Sequence, residues 1–264
     1  MKFRILILVM AMGLTVFTFS AQVAEAPVKV LIVTGSADLP YHIWQETTAS
    51  IRAILEANGH FDITVLENPK ALNTDSLKGF DVVVLNYNGP RWPRESEEAL
   101  ETFIRNGGGF FAFHHASYGT FFGHEFRENR WQQGSTGSGW EAFPVIIGAS
   151  WLPENIGHAR RCVFEVDWVV ATHPASSGLP KSFKANDELY HKLDLSPDVL
   201  VLASALSPAD LGGTGKREPM VWVNQFGRGR VYYTVLGHDT LAWEQPGMDS
   251  LLTRGVEWAA GNSD

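Results

Sequence analysis

Apolar residues along the chain fall into short continuous runs that alternate with amphipathic stretches. Runs of the first kind, rich in Val, Ile and Phe, occur at 28–35, 61–68, 80–88 and 108–113. Such runs are typical of strands that are buried on both faces of a sheet. Between them, 42–59 and 94–108 repeat apolar residues at helical spacing. The resulting order, strand–helix–strand twice over, predicts an α/β fold: a doubly wound, mostly parallel sheet with helices on both faces.

The pattern is less regular in the second half of the chain. Residues 116–160 are rich in Gly, Ser and Trp, which predicts long loops over one edge of the sheet. Further strands are predicted at 160–167, 198–205, 219–226 and 229–236, and a closing helix at 248–261. The last two strands flank Gly227-Arg228-Gly229 and are predicted to form a hairpin. Because there is no repeat or linker, we expect one domain over 27–264.

The N-terminal segment has the pattern of a secretory signal peptide. Lys2 and Arg4 precede an apolar run at 5–19, and small residues follow up to Ala26. We therefore predict a signal peptide over 1–26 and an exported protein, periplasmic or extracellular; a retained anchor or a helix of the fold is the alternative. The chain has a single cysteine, Cys162, so an intrachain disulfide is excluded.

The composition and net charge of the chain indicate which kinds of molecule it can bind. Of the 264 residues, 45% are hydrophobic, enough for a sizeable core. The formal net charge is −8 and the pI about 5.6, so no basic field is available for nucleic acid or for anionic lipid. We expect neither nucleic acid nor, after signal removal, a membrane as partner; homo-oligomerisation is left open.

Polar and histidine residues follow several of the predicted strands. They are Asn88, His114, His115, His238 and Asp239, with His42 in the loop after the first strand. In parallel sheets, functional sites form outside the carboxyl ends of the strands. One histidine at a strand end is commonly structural, but several at one edge predict a shared site. Successive residues of an extended chain point to opposite sides, so only one of His114 and His115 aims directly at that site unless the chain turns there.

Five segments together resemble the trehalose-utilisation (ThuA-like) family, over about 28–261. They are "VLIVTG…HIWQETTASIRAIL", "GGGFFAFHHAS", "THPASSGLP", "NDELYH" and "PMVWVNQFGRGRVYYTVLGHD". The resemblance implies a class I glutamine amidotransferase-like (flavodoxin-like) fold and a role in disaccharide uptake and breakdown through keto-sugar intermediates. His114 stands where amidotransferases carry their nucleophilic cysteine, and His238 resembles their late histidine. Because an imidazole does not replace a thiolate as acyl acceptor, glutamine amidotransferase activity is not expected.

These residues suit acid–base chemistry on a sugar, because His and Glu exchange protons near neutral pH. We expect an enzyme that acts on a disaccharide or keto-sugar derivative by isomerisation, elimination or hydrolysis. In the family, the segment that contains Glu188 and Tyr190 lies beside the pocket, so the resemblance implies a functional role for both residues. Expected catalytic residues are His42, His114, Glu188 and His238; expected substrate-binding residues are Trp44, Asn88, His115, Trp131, Tyr190 and Asp239. The alternative is a non-catalytic carbohydrate-binding or accessory protein.

A divalent metal ion is an open alternative as cofactor. Zinc, nickel and iron accept imidazole ligands, and such an ion polarises a carbonyl group. The candidate ligands are His42, His114, His115 and His238. The sequence contains no HxxxH or HExxH pattern, so the spacing alone does not indicate a metal.

Overall fold

A computed structural model describes residues 26–134 and 139–261. The predicted signal peptide therefore lies, apart from Ala26, outside the described residues. The strands are β1 (Val28–Val33), β2 (Phe61–Leu66), β3 (Val82–Leu85), β4 (Gly109–Phe113), β5 (His124–Arg127), β6 (Arg130–Gln133), β7 (Ala149–Ser150), β8 (Cys162–Trp168), β9 (Ser182–Asp187), β10 (Asp194–Leu195), β11 (Leu200–Leu206), β12 (Arg217–Phe226) and β13 (Gly229–Thr234). The helices are α1 (Trp44–Asn58), α2 (Thr74–Leu77), α3 (Arg94–Arg105), α4 (Ala142–Ile147), α5 (Thr240–Trp243) and α6 (Met248–Ala260).

The main sheet has nine strands in the order β2-β1-β3-β4-β13-β12-β11-β8-β9. The five strands from β2 to β13 are mutually parallel. The remaining pairs, from β13 to β9, are antiparallel. The predicted α/β class is confirmed, and the parallel half is the half that the strand–helix alternation predicted. The sheet as a whole is mixed, because β12, β11, β8 and β9 follow one another without helical crossovers.

Helices cover both faces of the parallel half. Phe110 and Phe111 are successive residues of β4 and therefore point to opposite faces. The Phe110 ring contacts Phe143 of α4, whereas a side chain added at Gly255 of α6 would meet the Phe111 ring at 2.8 Å. Buried apolar side chains from the sheet and from both helix layers form one cluster.

The predicted hairpin is present. β12 and β13 are paired antiparallel, and the pair nearest the turn is Phe226 with Gly229. Gly227 in the turn has φ +63°, a conformation that glycine adopts without strain. The region predicted as loops, 116–160, contains β7, helix α4 and the separate hairpin β5–β6. Within the described residues, no helix combines the length and the apolar character needed to cross a membrane.

The topology explains where a site forms. β1, β4 and β13 run in one direction, so their carboxyl ends meet at one edge of the sheet. His42 follows β1 through a loop, the turn at His114–Ser117 follows β4, and His238 follows β13. β9 is separated from β13 by four antiparallel pairings and so runs in the same direction as β13, which brings Asp187 at its carboxyl end and the following Glu188 to the same edge.

Candidate functional site

Three buried imidazoles meet at the carboxyl edge of the sheet. His42 Nε2 lies 3.0 Å from His238 Nδ1, and His114 Nε2 lies 3.2 Å from the same atom. One ring nitrogen from each of the three lies within 4.8 Å of the others. We call His42, His114 and His238 the three-histidine centre. The sequence predicted that these residues share an edge, and the structure brings their rings into contact.

His114 has an unusual backbone conformation. Its φ is +46°, in the left-handed region, and it opens a tight turn directly after β4. The hydroxyl of Tyr233 donates to its carbonyl oxygen, as does that of Ser117. Its Nδ1 lies 2.9 Å from the carbonyl oxygen of Val235. Complete burial and the neighbouring histidines hold the His114 pKa well below its usual value, so the ring is neutral.

His42 is oriented by a carboxylate. Its Nδ1 donates to Asp38 Oδ1 at 2.7 Å, with both side chains almost fully buried. Burial alone would raise the pKa of Asp38, but the hydrogen bond from His42 and the nearby imidazoles hold it below its usual value. Asp38 is therefore ionised and fixes the proton of His42 on Nδ1, which leaves Nε2 as a free lone pair.

Asp187 and Glu188 support the centre from β9. The buried Asp187 carboxylate accepts the backbone N–H of Gly237 at 2.7 Å and that of His238 at 3.1 Å. Burial raises the Asp187 pKa to about 7, although these hydrogen bonds oppose the shift. Glu188 Oε2 lies 3.5 Å from His238 Nδ1 and 3.6 Å from His158 Nε2. Burial also raises the pKa of Glu188, against the opposing effect of the nearby His158 and His42.

A cavity of about 840 Å³ opens beside the centre. His42, Glu188 and Tyr190 line one end of it, and aromatic side chains form much of the remaining wall. Among these aromatics, the Trp131 ring, from β6, packs edge-on against Tyr118 with the centroids 5.1 Å apart. His114 is fully buried, and the Tyr190 hydroxyl, 2.9 Å from its Nε2, links it to a residue of the cavity wall. Of the expected catalytic residues, His42 and Glu188 therefore line the cavity, whereas His114 lies behind it.

The other expected binding residues divide into two groups. Trp131 and Tyr190 line the cavity. The Asn88 amide donates to the carbonyl oxygens of His115 and Tyr118, so it holds the turn after β4. Asp239 caps α5 and pairs with Arg161.

Two further candidates lie beside the centre rather than on the cavity wall. Trp44 begins α1 and borders a separate depression formed by the 35–45 segment. The buried His115 ring stacks on that of His42 with the centroids 5.0 Å apart, and neither of its nitrogens has a hydrogen-bond partner among the described residues.

Sequence reasoning missed three residues of this site. Asp38 lies four residues before His42, a spacing that carries no signal in a loop. His158 reaches Glu188 from the predicted loop region, and Asp187 was considered only as part of the segment around Glu188. Of the three, only Asp187 had a signal, because it is adjacent to Glu188 in the sequence.

The nine-stranded sheet and its helices define an α/β fold consistent with the glutamine amidotransferase-like type. The chain belongs to the ThuA family: the sequence profile described as trehalose utilisation matches residues 29–259. The family expectation drawn from the sequence is thus confirmed.

Solved structures agree with this assignment. A putative ThuA-like protein from Parabacteroides merdae is 25% identical, with a TM-score of 0.69 over 89% of this chain and 90% of its own. Another from Bacteroides uniformis is 22% identical, with a TM-score of 0.69 over 92% and 95%. Part of a β-galactosidase from Rahnella sp. R3 shares the fold at 18% identity and a TM-score of 0.56, over 87% of this chain and 31% of the enzyme. No curated protein matches the chain.

Proposed function

We propose that this protein is an exported sugar-processing enzyme that acts on a disaccharide or keto-sugar derivative by acid–base chemistry. The observation that carries the proposal is the position of Glu188. Its carboxylate lines the cavity and lies within 3.6 Å of both His158 and His238. Glu188, His158 and His42 are three titratable groups at the wall of this one cavity, and burial raises the pKa of the Glu188 carboxyl group, which suits proton transfer near neutral pH.

The cavity has the properties of a carbohydrate site. Its volume of about 840 Å³ lies within the range of small-molecule pockets. Tyr41, Phe126 and Trp131 offer accessible aromatic surface for the apolar C–H faces of a sugar ring. Gln132 and Arg130 of the β5–β6 hairpin offer hydrogen bonds for hydroxyl groups.

The chemistry assigned to Glu188 is removal of a proton from the carbon between a ketone and the glycosidic carbon. The electron pair of that C–H bond forms an enediolate, and the carbonyl oxygen takes the negative charge. In an isomerisation the proton returns to the neighbouring carbon. In an elimination the electron pair expels the glycosidic oxygen, which leaves with a proton from His158, a residue of the same cavity wall. Hydrolysis, the third reaction type, would use Glu188 to activate a water molecule.

The second candidate function is non-catalytic carbohydrate binding. The observation that favours it is the complete burial of His114 behind an aromatic wall. In that case the histidines stabilise the fold and the cavity only binds sugar.

Replacement Glu188→Gln distinguishes these functions, because it keeps the shape of the side chain and removes the titratable group. For the enzyme we expect turnover of keto-disaccharides, followed by mass spectrometry of the products, to fall about 10²- to 10⁴-fold. Sugar binding measured by calorimetry should change far less. Glu56→Gln, on the exposed face of α1, is the matched control. Binding of keto-disaccharides or their parent sugars without turnover by the wild type would support the second candidate.

The export part of the proposal is supported by Lys2, Arg4 and the apolar run at 5–19. Intact mass of the protein from its native host should lack roughly the first 20–26 residues. The full chain in the cytoplasm would contradict export without bearing on the chemistry.

A further inference from the structure

The three-histidine centre contains more hydrogen-bond acceptors than donors. His42 Nδ1 faces the Asp38 carboxylate at 2.7 Å, and His114 Nδ1 faces the Val235 carbonyl at 2.9 Å. A carboxylate or carbonyl oxygen only accepts, so in both rings Nδ1 carries the proton. The Nε2 atoms of both rings are therefore lone pairs, and both are directed at His238 Nδ1.

His238 Nδ1 can carry only one proton. Around it lie His42 Nε2 at 3.0 Å, His114 Nε2 at 3.2 Å and Glu188 Oε2 at 3.5 Å. One N–H cannot form good hydrogen bonds to three acceptors. Tyr190 supplies one more donor, since its hydroxyl is 2.9 Å from His114 Nε2. Two donors therefore face three acceptors, so either one imidazole lone pair or the Glu188 carboxylate at the cavity wall receives no proton from this group.

We propose that the three-histidine centre binds a divalent transition-metal ion through His42 Nε2, His114 Nε2 and His238 Nδ1. The distances fit: nitrogens that bind one ion at about 2.0–2.1 Å, at angles of about 90–110°, stand about 2.9–3.4 Å apart. The separations of His238 Nδ1 from His42 Nε2 and from His114 Nε2, 3.0 and 3.2 Å, lie in this range. Imidazole ligands select zinc, nickel or iron over calcium and magnesium.

The surroundings have the form expected of a metal site. Asp38 and the Val235 carbonyl bind the outer nitrogens of two ligands, which fixes the rings and their tautomers. The Asp187 carboxylate holds the backbone at His238. Glu188 is a nearby carboxylate, with Oε2 3.5 Å from His238 Nδ1, and remains available as the base. In binding, the ion takes the place of the Tyr190 proton on His114 Nε2, and that hydroxyl turns to another acceptor.

This inference concerns the same site as the proposed function, and only the role of the ion rests on that function. Beside a bound keto sugar, the ion would polarise the carbonyl oxygen and stabilise the enediolate charge. Binding of the ion itself is measured without turnover.

The test is metal binding by the full chain. Protein purified without chelator is analysed for metals by mass spectrometry, then stripped and titrated with Co²⁺, whose visible absorption reports nitrogen ligation. We expect one equivalent bound in the wild type. His42→Ala and His238→Ala should abolish stoichiometric binding, whereas His60→Ala, outside the centre, should not.

If the alanine variants fail to fold, Asp38→Asn provides a second test. It removes no ligand, and we expect it to weaken Co²⁺ binding about 10- to 100-fold while thermal unfolding stays cooperative. A folded wild type that retains no metal and gives no Co²⁺ band would overturn the proposal. So would undiminished binding in folded His42→Ala and His238→Ala.

The outcomes separate the two proposals. Metal binding without sugar turnover would support the metal site and contradict the proposed enzyme function. Turnover of keto sugars by protein that binds no metal would contradict the metal site and support the acid–base enzyme.

Discussion

At the scale of single residues, His114 shows how local strain serves this site. A non-glycine residue at φ +46° is disfavoured by roughly 1–2 kcal/mol. The Tyr233 and Ser117 hydroxyls on its carbonyl oxygen and the Val235 carbonyl at its Nδ1 offset that cost. The strained turn directs Nε2 toward His238, whereas the next residue, His115, stacks behind His42.

Asp187 is the residue whose loss should be most costly beside the centre. Asp187→Asn would place an NH₂ donor against the backbone N–H groups of Gly237 and His238, which both now donate to the carboxylate. We expect the free energy of unfolding, from urea titration, to fall by about 1–3 kcal/mol. Asp198→Asn, at an exposed position, should leave it unchanged. Equal midpoints for the two variants would show that the carboxylate does not anchor this loop.

The sequence could predict some of these residues and not others. His42, His114 and His238 follow recognisable strands, so their shared edge could be inferred. The burial of His114 could not, because it depends on Tyr190, which lies 76 residues away in sequence. Asp38 and His158 lie in irregular segments, where no periodicity marks the direction of a side chain.

At the scale of secondary-structure elements, the parallel half of the sheet was predictable because each strand is a continuous apolar run. β9 was missed because Ser182–Asp187 mixes Lys, Asn and Ser with only two apolar residues. α4 was missed because Ala142–Ile147 is shorter than two turns and contains Pro144. Both lie in the region where the strand–helix alternation has ended.

Helix α6 packs closely against the parallel half of the sheet at Gly255, which faces the rings of Phe111 and Tyr232. Gly255→Ala would place a methyl group 2.8 Å from ring atoms of both Phe111 and Tyr232. We expect the thermal midpoint to drop, with a loss of about 1–3 kcal/mol from overpacking that exceeds the gain of about 1 kcal/mol in helix propensity. Ser250→Ala, half-buried on the same helix, should have little effect. A higher midpoint for Gly255→Ala would mean that α6 shifts without cost.

At the scale of the whole molecule, buried histidines make the stability depend on pH. Burial lowers the pKa of His115 to about 3 and that of His124 to about 4, against about 6.5 in the unfolded chain. The unfolded chain therefore binds protons that the folded chain does not, and stability falls as the pH drops from 6.5 toward these values.

Chelator-treated protein should accordingly lose stability between pH 7 and pH 4, on the order of 1 kcal/mol per pKa unit for each of these histidines, partly offset by Asp187, whose raised pKa of about 7 acts in the opposite sense. Urea unfolding at several pH values measures this loss. His115→Phe should flatten the profile, because it removes one buried group that resists protonation, whereas His60→Phe should not. An unchanged slope in His115→Phe would mean that His115 is protonated equally in both states.

The positions of the three histidines along the chain have a consequence for folding kinetics. His42 and His238 are separated by 196 residues, and His114 and His238 by 124. Contacts between such distant segments carry a large loop-closure entropy and form slowly. The centre therefore cannot assemble on the ribosome before β13 has emerged, and it is among the last parts of the molecule to form. A spectroscopic probe bound to these three imidazoles would report completion of folding rather than any earlier step.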